Sequence, residues 1–347
     1  MSHLFMSGIY SVTPVHCGTG AASDSVDLPI ARESHTKLPI LPASSLKGAW
    51  RAHLEMHGNG GDAAESNSLL YRAFGPTLAD SGKAEGDDSG KSKGLEVGQL
   101  SFLDGQLLAF PVRSLGRPFM YVTSPLLLER FRRSFHVFDA AVQWPAEVRI
   151  PSFQASGRDQ SAVRAHVVAG ALGEAKHLVL EDLIYREDEV SAVENLEPLL
   201  AIIEKLLPEA SASSDAKPGK ASASSGALSG VARALREGFV VISDADLVDL
   251  VERTVPVQAR VKLNEQKTTG SADDASGNLW YEEVLPADCL FFAPIVARTP
   301  KAAKDGVLKQ FIDAIAPTRH RFQIGGNETV GQGRCLVGGA AYGGESK

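Results

Sequence analysis

Apolar residues fill Leu4 to Val12 first on both sides of the chain and then in alternation, which predicts a strand whose opening half is covered on two faces. A Gly/Ser/Asp-rich loop runs on through Asp27. Pro39 and Pro42 then precede a helix with Ser44 as N-cap and Leu46, Trp50 and Leu54 as its stripe, ending near Met56. Residues 57–67 are a break. Gln99–Val112 reads as a strand pair. Ser124–Phe138 reads as a helix with Pro125 in its first turn and Leu128, Phe131 and Phe135 on one face. A strand over 177–185 and a helix over Val193–Leu207 follow. Ser243 caps a helix reaching Arg253. Val255–Leu263 and Leu279–Val284 form a long hairpin around a polar tip at 264–278. Cys289–Val296 is a strand, Lys304–Ala316 a helix ended by Pro317, and Arg321–Ile324 a short strand before a glycine loop. Strands alternating with two helices and hairpins fit an α+β arrangement, β-α-β-β-α-β with insertions.

Two tracts interrupt this pattern. Residues 79–94 lack any large apolar side chain and read as a mobile polar loop. Residues 208–230 are a low-complexity insertion expected to be disordered. The remainder of 1–347 is read as one elaborated domain.

A hydrophobic content of 44% is that of a soluble globular protein, and no apolar run reaches the ~18 residues that span a bilayer. No secretory signal is seen, so the cytoplasm is the expected compartment, without a membrane. Cys17, Cys289 and Cys335 lie far apart, which argues against a disulfide framework or a zinc ribbon; each reads as a small buried residue rather than a nucleophile. The net charge of −7 argues against a free-standing nucleic-acid binder, so RNA contact would need a local basic surface.

The loop Ile324–Gly333 (IGGNETVGQG) concentrates glycines whose amides can form a nest for anionic oxygens. Gly326 and Gly331 have the spacing of a nucleotide-triphosphate loop, but Gln332 and Gly333 stand where lysine and Ser/Thr are needed, so an ATPase reading fails. What remains is phosphate contact by Gly325, Gly326, Asn327, Thr329, Gly331 and Gly333, or a tight hairpin. The helix start at Ser44, Ser45 and Lys47 offers amides, a dipole and a cation to phosphate, with Arg51 one turn on. Arg260, Lys262 and Lys267 on the hairpin are further candidates for RNA backbone. His16 is a candidate for proton transfer. Tyr281 and Glu282 are weaker candidates, one of them turned inward for packing. Asp24 reads as a turn aspartate, and the His53/His57 pair as a frayed helix end rather than a zinc site.

Several stretches together resemble a known family. They are Thr13–Gly20 (TPVHCGTG), Val26–Glu33 (VDLPIARE), Pro39–Gly48 (PILPASSLKG), Phe110–Leu115 (FPVRSL), Leu279–Glu283 (LWYEE) and the glycine loop, in family order across nearly the whole chain. The chain resembles the RAMP proteins of CRISPR antiviral effector complexes, and among them the backbone subunits of type III-B (Cmr) complexes, the fourth Cmr subunits. The resemblance implies a ferredoxin-like (RRM-like) palm with an extended β-hairpin thumb, here residues 255–284. It implies copies stacked in a filament along a CRISPR RNA beside other Cmr subunits, each thumb displacing a base pair of the guide–target duplex. It also implies an aspartate, here Asp27, that cuts complementary target RNA near the displaced nucleotide at regular intervals.

An unstacked nucleotide lets the RNA 2′-hydroxyl attack in line, and positioning of that kind lowers a barrier by up to about 7–11 kcal/mol. An ordinary aspartate, with a pKa near ~3.9, is a weak base. A divalent cation, Mg²⁺ or Mn²⁺ in its place, held by Asp27 would supply what it lacks. Three alternatives stand beside this reading. They are a structural guide-binding backbone that does not cut, a metal-independent RAMP endoribonuclease that processes guide RNA through His16, and a small-molecule phosphate site at the glycine loop.

Overall fold

The computed structural model describes residues 3–20, 26–57, 68–76, 97–138, 144–153, 163–172, 175–192, 196–208, 223–263 and 279–342. The 79–94 tract, residues 209–222 of the insertion, the hairpin tip at 264–278 with Lys267, and Asp24 fall outside them. In chain order the strands are β1 (Leu4–Ser11), β2 (Ile40–Leu41), β3 (Leu100–Phe102), β4 (Gly105–Arg113), β5 (Phe119–Thr123), β6 (Ala165–Val167), β7 (His177–Leu180), β8 (Leu183–Arg186), β9 (Val190–Ala192), β10 (Phe239–Ile242), β11 (Val257–Val261), β12 (Leu279–Glu283), β13 (Leu290–Ala297), β14 (Phe322–Gln323) and β15 (Arg334–Tyr342). The helices are α1 (Ala43–His57), α2 (Leu69–Phe74), α3 (Pro125–Phe138), α4 (Glu197–Glu204), α5 (Ala223–Gly238), α6 (Asp244–Thr254), α7 (Pro300–Lys304) and α8 (Val307–Ile315).

All eight residues of β1 are buried because the strand lies at the centre of the main sheet, between β13 and β15. That sheet runs β14-β15-β1-β13-β4-β5-β10-β6-β9. Within it β15-β1-β13-β4 is antiparallel throughout. With α1 after β1 and α8 after β13, this is the 4-1-3-2 order of a ferredoxin-like palm, extended at one edge by β5, β10, β6 and β9. Trp50 of α1 meets Phe311 of α8 edge-on at 5.5 Å, and Phe311 meets Phe102 at 5.8 Å, covering one face. Phe131 of α3 meets Phe292 at 5.1 Å on the other.

Several expected elements take a different form. Both β3 and β4 pair with β13, so Gln99–Val112 is a broken strand along one edge and not a hairpin. The 177–185 strand is instead the β7–β8 hairpin, turned at Glu181 with φ 53°. The Val193–Leu207 helix shortens to α4. Helix α5 occupies 223–230, the end of the tract expected to be disordered, and α5, β10 and β15 are not among the expected elements, although β10 is an apolar run of four. The Lys304–Ala316 helix is split at Gly306, whose left-handed φ of 66° separates α7 from α8. Ser44 lies inside α1, not at its cap; the amide of Ala43 is bound by the Asp104 carboxylate at 2.7 Å. No helix among the described residues is long and apolar enough to cross a membrane.

Gly8 of β1 stands opposite Gly338 of β15, and the chain leaving α4 crosses the sheet on this bare floor. A Cβ at Gly8 would lie 2.2 Å from the Leu206 carbonyl oxygen, and one at Gly338 2.1 Å from the Leu207 carbonyl carbon. Gly8→Ala is expected to destabilise the chain by roughly 1–3 kcal/mol in urea melts, through overpacking against a backbone that must shift. Gly230→Ala, in α5 with nothing near its Cβ, is expected to stabilise by roughly 0.5–1 kcal/mol in the same measurement.

Candidate nucleic-acid interface and cleavage site

After β1 the chain does not leave the palm but follows the root of the hairpin. Val15 and Leu285 exchange backbone hydrogen bonds at 3.0 and 2.8 Å. Gly18 bridges Ile30, so the chain folds back, and Leu28 then pairs in parallel with Glu282. Leu28 donates to the Tyr281 carbonyl at 3.1 Å and accepts from the Glu283 amide at 3.0 Å. Residues 27 and 28 thereby extend the hairpin along the free edge of β12. The Asp27 carboxylate accepts the Tyr281 N–H at 2.7 Å, and its side chain is exposed beside the hairpin. The Glu283 carboxylate fastens the next residues, accepting from the Ile30 amide at 3.0 Å and from Arg32 at 3.2 Å.

Glu282, on the opposite face of β12, is buried, with 2% of its side chain exposed. Arg260 of β11 donates to it at 3.0 Å, the Asn327 amide donates to it, and His16 Nδ1 lies 3.3 Å away. His16 Nδ1 is also 2.7 Å from the Glu283 carbonyl oxygen. A carbonyl only accepts, so Nδ1 carries the proton and Nε2 of the neutral ring is the acceptor. That nitrogen points toward Gly18, where an added Cβ would come within 2.6 Å of it. Arg260 is thus committed to a buried carboxylate and is not a free RNA contact, whereas Lys262 is exposed. Of Tyr281 and Glu282, one of which was expected to turn inward for packing, it is Glu282 that does, and it brings a charge to three partners while Tyr281 is exposed.

The glycine loop is a folded support more than an anion nest. The amide of Gly326 is spent on the His16 carbonyl at 3.0 Å, that of Gly331 on Glu328 at 2.9 Å, and that of Gly333 on Pro14 at 2.8 Å. Gly333 is buried, and the Asn327 side chain turns inward to Glu282 and Gln332. Gly325 has a left-handed φ of 79°, and a Cβ there would lie 2.2 Å from the His16 carbonyl oxygen. Glycine is needed at this position so that the loop can press against His16. Thr329 is exposed at the loop's outer rim.

Between this loop and α1 lies a cleft of about 530 Å³. Ser45, Gly48, Ala49 and Ala52 give it a low wall on α1; His16, Gly18, Gly325 and Gly326 line the other side; Arg321 and Arg334 add two cations that sequence patterning did not single out, Arg334 lying 3.5 Å from the Glu328 carboxylate, which also lines the cleft. Arg334 lies on β15, a strand without a legible period. Ser44 and Lys47 are exposed near the same helix start. Arg51 faces elsewhere, bonding Glu55 at 3.1 Å and the Gly75 carbonyl at 3.2 Å, so it is not a cleft cation. His53 is buried, within 2.8 Å of the Thr318 hydroxyl, and does not form a metal pair with His57. All three cysteines are buried and free, and burial pushes the Cys17 thiol up to about 12, which disfavours the thiolate.

The sequence model of the RAMP superfamily matches residues 9–336. The chain is 29% identical over 337 residues to the CRISPR system Cmr endoribonuclease Cmr4 of Pyrococcus furiosus, covering 96% of this chain and 94% of that one. It is 25% identical to the CRISPR system CMR subunit Cmr4 of Saccharolobus solfataricus, covering 94% and 92%. Among solved structures it shares its fold with oligomeric Cmr4 from Pyrococcus furiosus, at a TM-score of 0.64 and 24% identity over 99% and 100% of the two chains. It shares it also with a chain of the type III-B Cmr-beta complex bound to cognate target RNA, at a TM-score of 0.61 and 18% identity over 97% and 96%. With its palm in 4-1-3-2 order and its hairpin zipped to the N-terminal segment, and on a family match over residues 9–336, this chain belongs to the RAMP superfamily.

Proposed function

We propose that this chain is the backbone subunit of a type III-B CRISPR effector complex, assembling in copies along a guide RNA with other Cmr subunits and cutting complementary target RNA beside each thumb. The likeness to a relative named as an endoribonuclease supports the activity. The observation that carries the reading is the fastening of Asp27 to thumb strand β12 through the Tyr281 amide. Asp27 and His16 bond to the same edge of β12, two residues apart, or about 7 Å along the strand.

The outward face of the hairpin is apolar. Val257, Ala259 and Val261 pair with Glu283, Tyr281 and Leu279, and apart from Glu283 all of these are exposed. Apolar wedges of this kind separate stacked bases. A target nucleotide turned out at the thumb would bring its 2′-oxygen in line with the adjacent phosphorus. The P–O2′ bond forms as the P–O5′ bond breaks, leaving a 2′,3′-cyclic phosphate and a 5′-hydroxyl. His16 Nε2 is the acceptor for the 2′-hydroxyl proton, and the leaving 5′-oxygen takes a proton from water or the returned imidazolium.

Among the described residues no group of three or more His, Cys, Asp or Glu side chains could hold a metal ion. A divalent cation would therefore take Asp27 as its protein carboxylate and complete its shell with phosphate oxygens and water, the usual habit of Mg²⁺. When bound it would neutralise charge developing on the phosphate. The cleft beside α1, with Arg321, Arg334 and the exposed Lys47 near it, is the candidate path for guide phosphates, leaving base edges free to pair.

In a complex reconstituted with guide RNA and partner subunits, Asp27→Ala should retain the guide and lose evenly spaced cuts in end-labelled complementary RNA. Equal cutting by the mutant would refute the role of Asp27, and a bound guide with no cutting by wild type would leave a purely structural backbone. His16→Ala should slow cutting by about 10²-fold or more, with 2′,3′-cyclic phosphate ends on the residual products. Lys47→Ala should weaken single-stranded RNA binding and lower the slope of log K against log salt by about 0.7, the loss of one phosphate contact.

A further inference from the structure

The turn that returns the chain from the thumb to the palm, residues 286–288, is gripped by the end of β1. Ser11 Oγ donates to the Pro286 carbonyl at 3.0 Å and accepts from the Cys289 amide at 2.9 Å. The Ser11 amide donates to the Cys289 carbonyl at 3.0 Å, and the Ser11 carbonyl accepts the Asp288 amide at 2.7 Å. One residue earlier, the Tyr10 hydroxyl donates to the Asp288 carboxylate. That hydroxyl has a single proton, so the Tyr121 hydroxyl 3.0 Å away must donate to the Tyr10 oxygen.

Tyr10 and Tyr121 are 4% and 2% exposed, so this relay lies inside the protein. Burial keeps both phenols protonated, with Tyr121 pushed up to about 12 and Tyr10 higher still. Asp288 itself has a left-handed φ of 70°, a conformation that disfavours a side chain. Glycine or asparagine would meet the turn's backbone need more easily; an aspartate there keeps an anionic acceptor for Tyr10. Tyr121 belongs to β5, two strands beyond β13, so the relay ties the root of the thumb to the far half of the sheet.

We infer that Asp288 is a positioning residue for RNA cleavage: with Tyr10 and Tyr121 behind it, it fixes how the thumb leaves the palm and therefore which nucleotide is cut. The inference rests on the reading of this chain as a cutting backbone subunit. The mechanical link is short. β12 runs into this turn through Val284 and Leu285, and the same strand holds Asp27 and His16, so a turn free to pivot would carry the cutting groups with it.

Two readings test it, one of which does not need cleavage. In the free full-length chain, hydrogen exchange of β11 and β12 amides should be at least tenfold faster in Asp288→Gly than in wild type. It should be close to wild type in Asp288→Asn, which suits the left-handed turn and still offers Tyr10 an acceptor. In the reconstituted complex, Asp288→Gly should spread each cut over neighbouring nucleotides while total cleavage is largely kept; a merely structural role would lower total cleavage without spreading the cuts. Tyr121→Phe leaves the turn's backbone untouched and should move both readings the same way by two- to threefold, which keeps the test open if Asp288→Gly does not fold. Unchanged exchange and unchanged cut positions in these variants would overturn the inference. A wild-type complex that cuts nothing would refute the functional reading instead, and the exchange result would still judge the relay.

Discussion

A single buried carboxylate ties together the hairpin, the N-terminal segment and the glycine loop of this protein. Glu282 sits on the hairpin, and its partners come from three other places: Arg260 on the facing strand, His16 on the N-terminal segment, and Asn327 in the glycine loop. A buried carboxylate without partners would be strongly unfavourable, and one that has them holds them in place because each would in turn be left unsatisfied. An apolar residue at 282 would leave the half-buried Arg260 guanidinium and the inward-turned Asn327 amide without their acceptor. The charge thus fixes where hairpin, loop and N-terminal segment meet more than it adds net stability.

Much of the remaining geometry follows from that meeting point. His16 is oriented by the Glu283 carbonyl and the Glu282 carboxylate together, which decides its tautomer and leaves Nε2 toward the cleft. The glycine loop presses on the His16 carbonyl because Gly325 has no side chain to keep it away. Along the same edge of that strand, the Asp27 segment is zipped down by backbone bonds and by Glu283. The candidate acid–base group and the candidate metal ligand are therefore both fastened to β12.

The sequence made visible the parts whose cause is local. β1 declares itself by its apolar opening and the alternation that follows, α3 by its proline start and aromatic stripe, α6 by the Ser243 cap, and the hairpin by clean alternation along its first arm. Alternation also says that one of Tyr281 and Glu282 faces inward. It cannot say why, because Arg260 lies 22 residues from Glu282, Asn327 45 residues and His16 more than 260 residues away along the chain. The same limit explains the misread residues. Arg51 and Arg260 look like free cations until their carboxylate partners are in place, and the amides of Gly326, Gly331 and Gly333 look available until the fold supplies their acceptors. Strand β15 and helix α5 are rich in glycine, alanine and serine, and owe their form to neighbours rather than to propensity. The motifs that carry the family resemblance, Thr13–Gly20 and Val26–Glu33, turn out to be the two segments packed along β12.

The most direct test of this arrangement is a double-mutant cycle on the stability of the full chain, using Glu282→Ala, Arg260→Ala and the pair in urea melts. If the buried carboxylate joins the hairpin as described, the pair should be less destabilised than the sum of the single changes, with a coupling of about 1–3 kcal/mol. Single effects that add to within about 0.5 kcal/mol would contradict it, and would mean that hairpin and cleft are held together by something other than this charge.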